Sequence, residues 1–211
     1  MRIKSFQEFI CSFPYEYQAS NISRKNWIRF FPINPLVKEV FNNNEVIAIT
    51  RKELYDTNKN IELFIVKVLI WGFATGGRGN NVLKLLSEPN FSILVDKLKS
   101  YRNADLEMQK IESDMNQISG LAISSITKFT HFMNTTVNGH KAIILDQQIM
   151  NTIQLNRFKD LEPLMGVKPT NAVRRYPDYI KIIDQLSIDL NATPDQIEMF
   201  IFLFGRTMVI K

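Results

Sequence analysis

The sequence contains very little cysteine and histidine. Its 211 residues include one cysteine, Cys11, and two histidines, His131 and His140. A single cysteine excludes an intramolecular disulfide framework, and it excludes zinc ribbons and iron–sulfur clusters that need several cysteines of one chain. The two histidines are far from Cys11 in the sequence, which disfavours a catalytic zinc site. We therefore expect chemistry that uses no metal and no other cofactor.

Long apolar runs are also missing. The longest apolar stretch, residues 61–74, is interrupted by Glu62 and Lys67 and is shorter than the roughly 20 residues that a membrane span needs. Gln7 and Glu8 interrupt the apolar residues near the start, so no secretory signal fits there. We therefore expect a soluble, cytoplasmic protein. The formal net charge of +5 is compatible with an anionic partner but does not identify one.

Strict alternation of polar and apolar residues, which is typical of half-buried strands, is almost absent. Apolar residues recur instead at helical spacing, and the 15 Phe, 6 Tyr and 2 Trp supply ample core material. These patterns predict an all-α protein of one domain, or of two small lobes that share a cleft. The predicted helices cover residues 6–13 after Ser5, residues 36–41, a helix capped by Thr50, a helix that begins at Asn58 or Asn60, and residues 80–86, 91–100, 104–117, 176–190 and 194–208, the last capped by Thr193.

Glycine is sparse and concentrated in one place. Four of the eight glycines lie in residues 72–79. The segment matches neither a Walker loop nor a dinucleotide-binding fingerprint, so either its amides and Arg78 bind an anion, or it is a sharp turn in which Arg78 caps a carbonyl. Trp71 and Phe73 come just before it. Their rings either stack on an extruded base or belong to the core.

Residues 118–152 carry the most informative pattern. Residues 118–133 predict a helix end, a tight hairpin near Gly120 and a new helix capped by Ser124 or Ser125, with Lys128 in its first turn. Such a hairpin presents backbone amides that bind a nucleic-acid phosphate without sequence specificity. The new helix is expected to end at the β-branched residues 135–137, which precede the turn pair Asn138-Gly139.

Simple geometry places Asp146 beside Lys128. The helix advances about 11 Å from Lys128 to Thr135, and the extended residues 142–145 return about 13 Å after the turn. Asp146 precedes a helical pattern, so its carboxylate is expected to cap a helix. A lysine next to such a carboxylate can act as a nucleophile with its base. The alternative is a solvated lysine and an ordinary N-cap.

Together, Lys128, the His131-Phe132 pair, residues 142–146 and the following Gln-Gln-Ile resemble the helix-hairpin-helix DNA glycosylase superfamily (HhH-GPD). The similarity is greatest to the small archaeal-type 8-oxoguanine DNA glycosylases, including the 18-residue step from Lys128 to Asp146. It covers residues 118–153. The resemblance implies two helical lobes that flank a cleft, with residues 50–135, including the hairpin 118–130, in one lobe and residues 1–49 and 140–211 in the other.

The resemblance also implies a function. A modified purine would be flipped out of DNA, Lys128 would attack the sugar C1′ to give a Schiff base that permits strand cleavage, and Asp146 would stabilise the sugar cation. It implies a duplex DNA partner, and we expect a monomer. The other residues assigned on this basis are Trp71, Phe73, His131 and Phe132 in the cleft, Gly120, Ser124, Ser125, Arg78, Arg174 and Arg175 at phosphates, and Lys211 at the oxidised base. From the sequence alone, a helical histidine such as His131 is more often a packed or surface residue, and a solvated surface explains the two arginines equally well.

One departure from the family pattern leaves two alternatives open. The hairpin of the family usually carries Gly-[Ile/Val]-Gly just before the lysine, where this sequence has residues Ser124–Thr127. The first alternative is a nucleic-acid-binding protein that keeps the fold without catalysis. The second is an enzyme that uses the same Lys/Asp pair on a different modified base or on RNA, such as an accessory of a bacterial defence system.

Overall fold

The computed structural model describes residues 1–76 and 80–208. The protein is mostly helical with two small sheets, which confirms the predicted fold class. Among these residues, no helix combines the length and apolar character needed to cross a membrane. The α-helices are α1 (Gln7–Cys11), α2 (Lys25–Ile28), α3 (Pro35–Phe41), α4 (Arg51–Thr57), α5 (Ile61–Gly72), α6 (Asn81–Leu85), α7 (Asn90–Lys99), α8 (Met108–Asn116), α9 (Ile123–Phe132), α10 (Gln147–Gln154), α11 (Ala172–Leu190) and α12 (Pro194–Phe204), with 3₁₀ helices at Ile3–Phe6, Tyr15–Tyr17 and Lys159–Leu164.

Helix α5 is the centre of the core. Its side chains from Phe64 to Ile70 are buried except for Lys67, and α3, α4, α7, α9 and strand β1 pack around it. The sequence predicts its start correctly, because Asn60 Oδ1 accepts a hydrogen bond from the amide of Leu63. Thr50 caps α4 and Thr193 caps α12 in the same way.

Strands β1 (Ala19–Ser23) and β2 (Val46–Thr50) form an antiparallel pair that the sequence did not predict. Among the residues of the two strands, only Ile22 and Ile49 are fully buried. The strands therefore lack the regular alternation of apolar and polar residues from which a half-buried strand is predicted. The pair packs against α5. It therefore positions Gln18, directly before β1, near the end of the central helix.

The second sheet corrects the predicted helix over residues 104–117. Strand β3 (Asp105–Leu106) pairs in parallel with β4 (Thr136–Val137), which pairs antiparallel with β5 (His140–Lys141), so α8 begins only at Met108. The predicted helix over residues 6–13 is likewise shorter, because α1 ends at Cys11 and Ser5 lies within the preceding 3₁₀ helix. Helix α11 begins earlier than predicted, at Ala172.

Helices α8 and α9 are joined by a short turn where the sequence predicts a helix-hairpin-helix. Gly120 adopts a φ of +89° in the connecting turn, and a Cβ there would lie 2.7 Å from the backbone oxygen of Asn81. Both the positive φ and the close approach require glycine. The predicted serine cap is wrong, because Ala122 is the N-cap residue and Ser124 lies inside the helix. Lys128 is therefore in the second turn of α9.

Candidate active site

Lys128 lies in a tight space between two helices. Its side chain projects from α9, is 5% exposed, and donates a hydrogen bond from Nζ to the carbonyl of Ser124 at 2.9 Å. Gly72, at the end of α5, makes room for it, since a Cβ at that position would lie 2.9 Å from the lysine Cδ. A side chain larger than hydrogen at Gly72 would therefore displace the amine.

Asp146 lies beside this amine, as the sequence geometry predicts. Its Oδ1 accepts hydrogen bonds from the amides of Gln148 and Ile149 at 2.9 and 3.0 Å and so caps α10. Its Oδ2 lies 3.8 Å from Lys128 Nζ. One oxygen is thus held by the helix while the other faces the lysine.

Residues 142–145, between β5 and Asp146, are buried and belong to no helix or strand. Side chains satisfy their backbone: Tyr176 Oη donates to the carbonyl of Ile143 and accepts from its amide, and Tyr179 Oη donates to the carbonyl of Ile144. The amide of Leu145 donates to Thr127 Oγ1 at 3.2 Å, one residue before Lys128 on α9. This bond ties the segment that carries Asp146 directly to the helix that carries the lysine.

Burial changes the protonation of Lys128. Loss of solvent lowers the pKa of its amine, although the negative charges of Asp146 and Glu198 act in the opposite direction. The ring of Phe73 lies 5.9 Å from Nζ and adds to the apolar surroundings. A larger fraction of the amine is therefore neutral, and thus nucleophilic, than for a solvated lysine.

The lowered pKa gives a testable pH dependence of stability. Between the folded pKa and about 10.5, the unfolded chain binds more protons at this site than the folded chain, so the free energy of unfolding rises with pH. We expect the native protein to gain more stability from pH 7.5 to pH 9.5 than Lys128→Gln does, as measured by urea unfolding. An equal gain in the two proteins would show that Lys128 has an ordinary pKa.

Lys128 and Asp146 line a cleft of about 220 Å³. Five further polar side chains line the same cleft, namely Gln18, Ser20, Arg51, Gln148 and Glu198. A larger depression of about 580 Å³ lies elsewhere, around Arg2 and Asp160, but Lys128 does not line it. We take the smaller cleft as the candidate site because the buried amine and carboxylate meet there.

Arg51 and Glu198 form a buried ion pair that the sequence analysis missed. Arg51 Nη1 lies 2.8 Å from Glu198 Oε2, and the two side chains are 1% and 0% exposed. Arg51 Nε also donates to Gln18 Oε1 at 3.2 Å, and the guanidinium lies 5.5 Å from the ring centre of Trp71. The sequence does contain a sign of this pair, because Glu198 is the one charged residue in the apolar run 197–202. A carboxylate in such a run is expected to be buried, and a buried carboxylate needs a positively charged partner.

The structure does not bring His131 and Phe132 into the cleft. Both side chains are fully buried, and Phe132 packs edge-on against Trp71 with ring centres 5.3 Å apart. His131 Nδ1 donates to the carbonyl of Ala142, and Nε2 lies 3.0 Å from Tyr55 Oη. Burial lowers the pKa of His131 to about 3, so the ring is neutral and structural. These two assignments are corrected because α4 and the chain around Ala142 cover that face of α9.

The remaining predicted residues are dispersed. Trp71 lines the cleft although it is only 6% exposed, and Phe73 is partly buried beside the lysine. Arg174 is exposed on the first turn of α11, whereas Arg175 is held by Asp178 and by the carbonyl of Pro163. Ser125 is buried. Arg78 and Lys211 lie outside the described residues.

Comparison with known proteins is consistent with this geometry. A family model described as "Putative 8-oxoguanine DNA glycosylase OGG-like protein" matches residues 14–202, a stretch that includes both Lys128 and Asp146. No curated protein and no solved structure matches the chain. Because the family model covers most of the sequence, the resemblance inferred from residues 118–153 is confirmed. The chain belongs to the OGG-like family of 8-oxoguanine DNA glycosylase-like proteins.

Proposed function

We propose that the protein is a DNA glycosylase that removes a modified purine such as 8-oxoguanine through attack by Lys128. The observation that carries this proposal is the 3.8 Å approach of Lys128 Nζ to Asp146 Oδ2 at a cleft, in a chain of this family. A flipped nucleotide would place its sugar at the amine, because a base within a duplex is out of reach of such a cleft.

The proposed chemistry uses only these two side chains. The neutral Nζ forms a bond to C1′ while the C1′–N9 bond breaks, and the electron pair leaves with the base, which takes up a proton. The amine proton passes to solvent through Asp146, whose negative charge also stabilises the developing sugar cation. Opening of the sugar ring, with a proton taken up at O4′, converts the adduct to a Schiff base. Loss of a C2′ proton then expels the 3′ phosphate.

The hairpin supports a role in holding DNA. In the described part of the chain, the amides of Ile123 and Ser124 donate to no backbone carbonyl, and they lie at the positive end of the α9 dipole. We propose that these amides, the turn at Gly120 and the exposed Arg174 contact phosphates, and that the two lobes expected from the sequence flank the bound duplex. Such contacts fix position without specifying sequence, and they weaken with salt.

Base release from a panel of duplexes tests the proposal. The panel holds 8-oxoguanine, other oxidised and alkylated bases, and the same lesions in RNA, each measured under single-turnover conditions. We expect release from DNA that carries a modified purine. Salt-sensitive DNA binding without any base release would instead favour a binding protein, and release from RNA alone would favour a different substrate.

A further inference from the structure

Two tyrosines of α11 hold a backbone segment that leads into the candidate site. The segment, residues 142–145, is buried and belongs to no helix or strand. Tyr176 Oη accepts from the amide of Ile143 at 3.0 Å and donates to the carbonyl of the same residue at 2.8 Å. Tyr179 Oη donates to the carbonyl of Ile144 at 3.0 Å. In a sheet a neighbouring strand would supply such bonds, whereas here two phenol hydroxyls supply them.

The two tyrosines act on the site from the core. Ile144 and Asp146 line the cleft, whereas both phenol rings are fully buried in the hydrophobic core. Tyr176 and Tyr179 are three residues apart, so their side chains lie on one face of α11. Burial raises the pKa of both hydroxyls, so each keeps the proton that it donates.

The same segment is also bonded to α9, the helix that carries Lys128. The amide of Leu145 donates to Thr127 Oγ1 at 3.2 Å, and His131 Nδ1 lies 3.0 Å from the carbonyl of Ala142. Side chains of two helices therefore determine where the segment lies. One of these helices carries the amine, and the segment itself ends at the carboxylate.

The distance of 3.8 Å between Lys128 Nζ and Asp146 Oδ2 thus depends on the position of this segment. We propose that Tyr176 and Tyr179 are positioning residues, whose hydroxyls hold the backbone where it keeps the Asp146 carboxylate beside the amine. The inference rests on the proposed function, because it gives these hydroxyls a part in the reaction of Lys128. Loss of a hydroxyl leaves buried backbone groups without a partner, so the segment shifts to recover one. A shift of about 1 Å is enough to slow a reaction between aligned groups by up to about 100-fold.

The same shift changes the proton affinity of the amine. The negative charges of Asp146 and Glu198 raise the pKa of Lys128. Burial and the positive charge of Arg51 lower it. Because Arg51 and Glu198 belong to α4 and α12, movement of the segment alters the contribution of Asp146. A carboxylate that moves away from the amine therefore lowers the pKa of Lys128 further.

Single hydroxyl deletions test the positioning role. Tyr176→Phe and Tyr179→Phe keep the ring and remove only the hydroxyl. Tyr101→Phe is the matched control, because Tyr101 is also fully buried and its hydroxyl donates at 2.9 Å to Asp114, a residue of α8. Excision of 8-oxoguanine is measured in single turnover with saturating protein, so a modest loss of folded protein does not change the rate constant. We expect both α11 variants to be about tenfold slower with unchanged DNA affinity, and the control to keep the native rate.

A titration that needs no catalysis supplies the second measurement. The pKa of Lys128 is measured by NMR in protein with isotope-labelled lysine, and the signal is assigned with Lys128→Gln. We expect a lower pKa in Tyr176→Phe and in Tyr179→Phe than in the native protein, and the native pKa in Tyr101→Phe. An unchanged pKa in both α11 variants would overturn the inference, as would an equal loss of excision rate in the control. Absence of base release by the native protein would overturn the proposed function, and the titration then decides on its own whether the hydroxyls position Asp146.

Discussion

Lys128→Gln is expected to lower the single-turnover rate of base excision by at least about 10³-fold, because it removes the nucleophile while keeping a polar side chain of similar volume. The substitution is not expected to destabilise the folded protein. A buried amine is costly to desolvate, so its replacement by a neutral amide is expected to leave the melting temperature unchanged or higher. The measurement is product release from an 8-oxoguanine duplex, with circular dichroism to confirm folding.

The matched control for this variant is Lys99→Gln, which removes an exposed lysine of α7 that pairs with the exposed Asp96. We expect its excision rate to equal that of the native protein, since exposed pairs contribute little to stability. A folded Lys128→Gln that keeps excision within about tenfold of the native rate would remove the lysine from its proposed role.

Asp146→Asn is expected to lower the excision rate by about 100-fold or more while stability stays nearly constant. The asparagine still accepts hydrogen bonds from the amides of Gln148 and Ile149, because Asn and Asp are comparable N-caps. What it loses is the negative charge 3.8 Å from Lys128 Nζ, which stabilises the sugar cation in the proposed reaction. Excision is measured as for the lysine variant.

Asp146→Ala separates the two roles of this carboxylate. It removes the charge and the cap together, so we expect a similar loss of activity with an added cost of about 1 kcal/mol in the free energy of unfolding. If Asp146→Asn loses as much stability as Asp146→Ala, the loss of activity reflects damage to α10 rather than loss of charge. Urea unfolding of both variants makes the distinction.

The parts of the fold that the sequence predicts depend on neighbouring residues. The side chains of Asn60 and Thr193 each accept a hydrogen bond from the backbone amide three residues later. The sequence pattern that predicts each helix start therefore lies within one turn of helix. The approach of Asp146 to Lys128 was predictable for a related reason. The predicted helix ends earlier than expected, at Phe132, and the β4–β5 hairpin contains the Asn-Gly turn, but a helix, a reversal and a return segment of standard lengths are enough to bring the two residues together.

The parts that the sequence does not predict depend on distant packing. Helical spacing places His131 one turn after Lys128, but it does not show that α4 covers the histidine while the amine faces the cleft. Arg51 and Glu198 are far apart in the sequence, and only the folded protein brings them together. Strands β1 and β2 escape detection because most of their side chains are at least partly exposed.

The most direct test of the central claim is the site of covalent attachment to DNA. The native protein is incubated with an 8-oxoguanine duplex and borohydride, which reduces a Schiff base to a stable amine, and the adduct is digested and mapped by peptide mass spectrometry. We predict that the sugar remnant is attached to Lys128. Attachment to another lysine such as Lys141, or to the N-terminal amine, would contradict the assignment of Lys128 as the nucleophile.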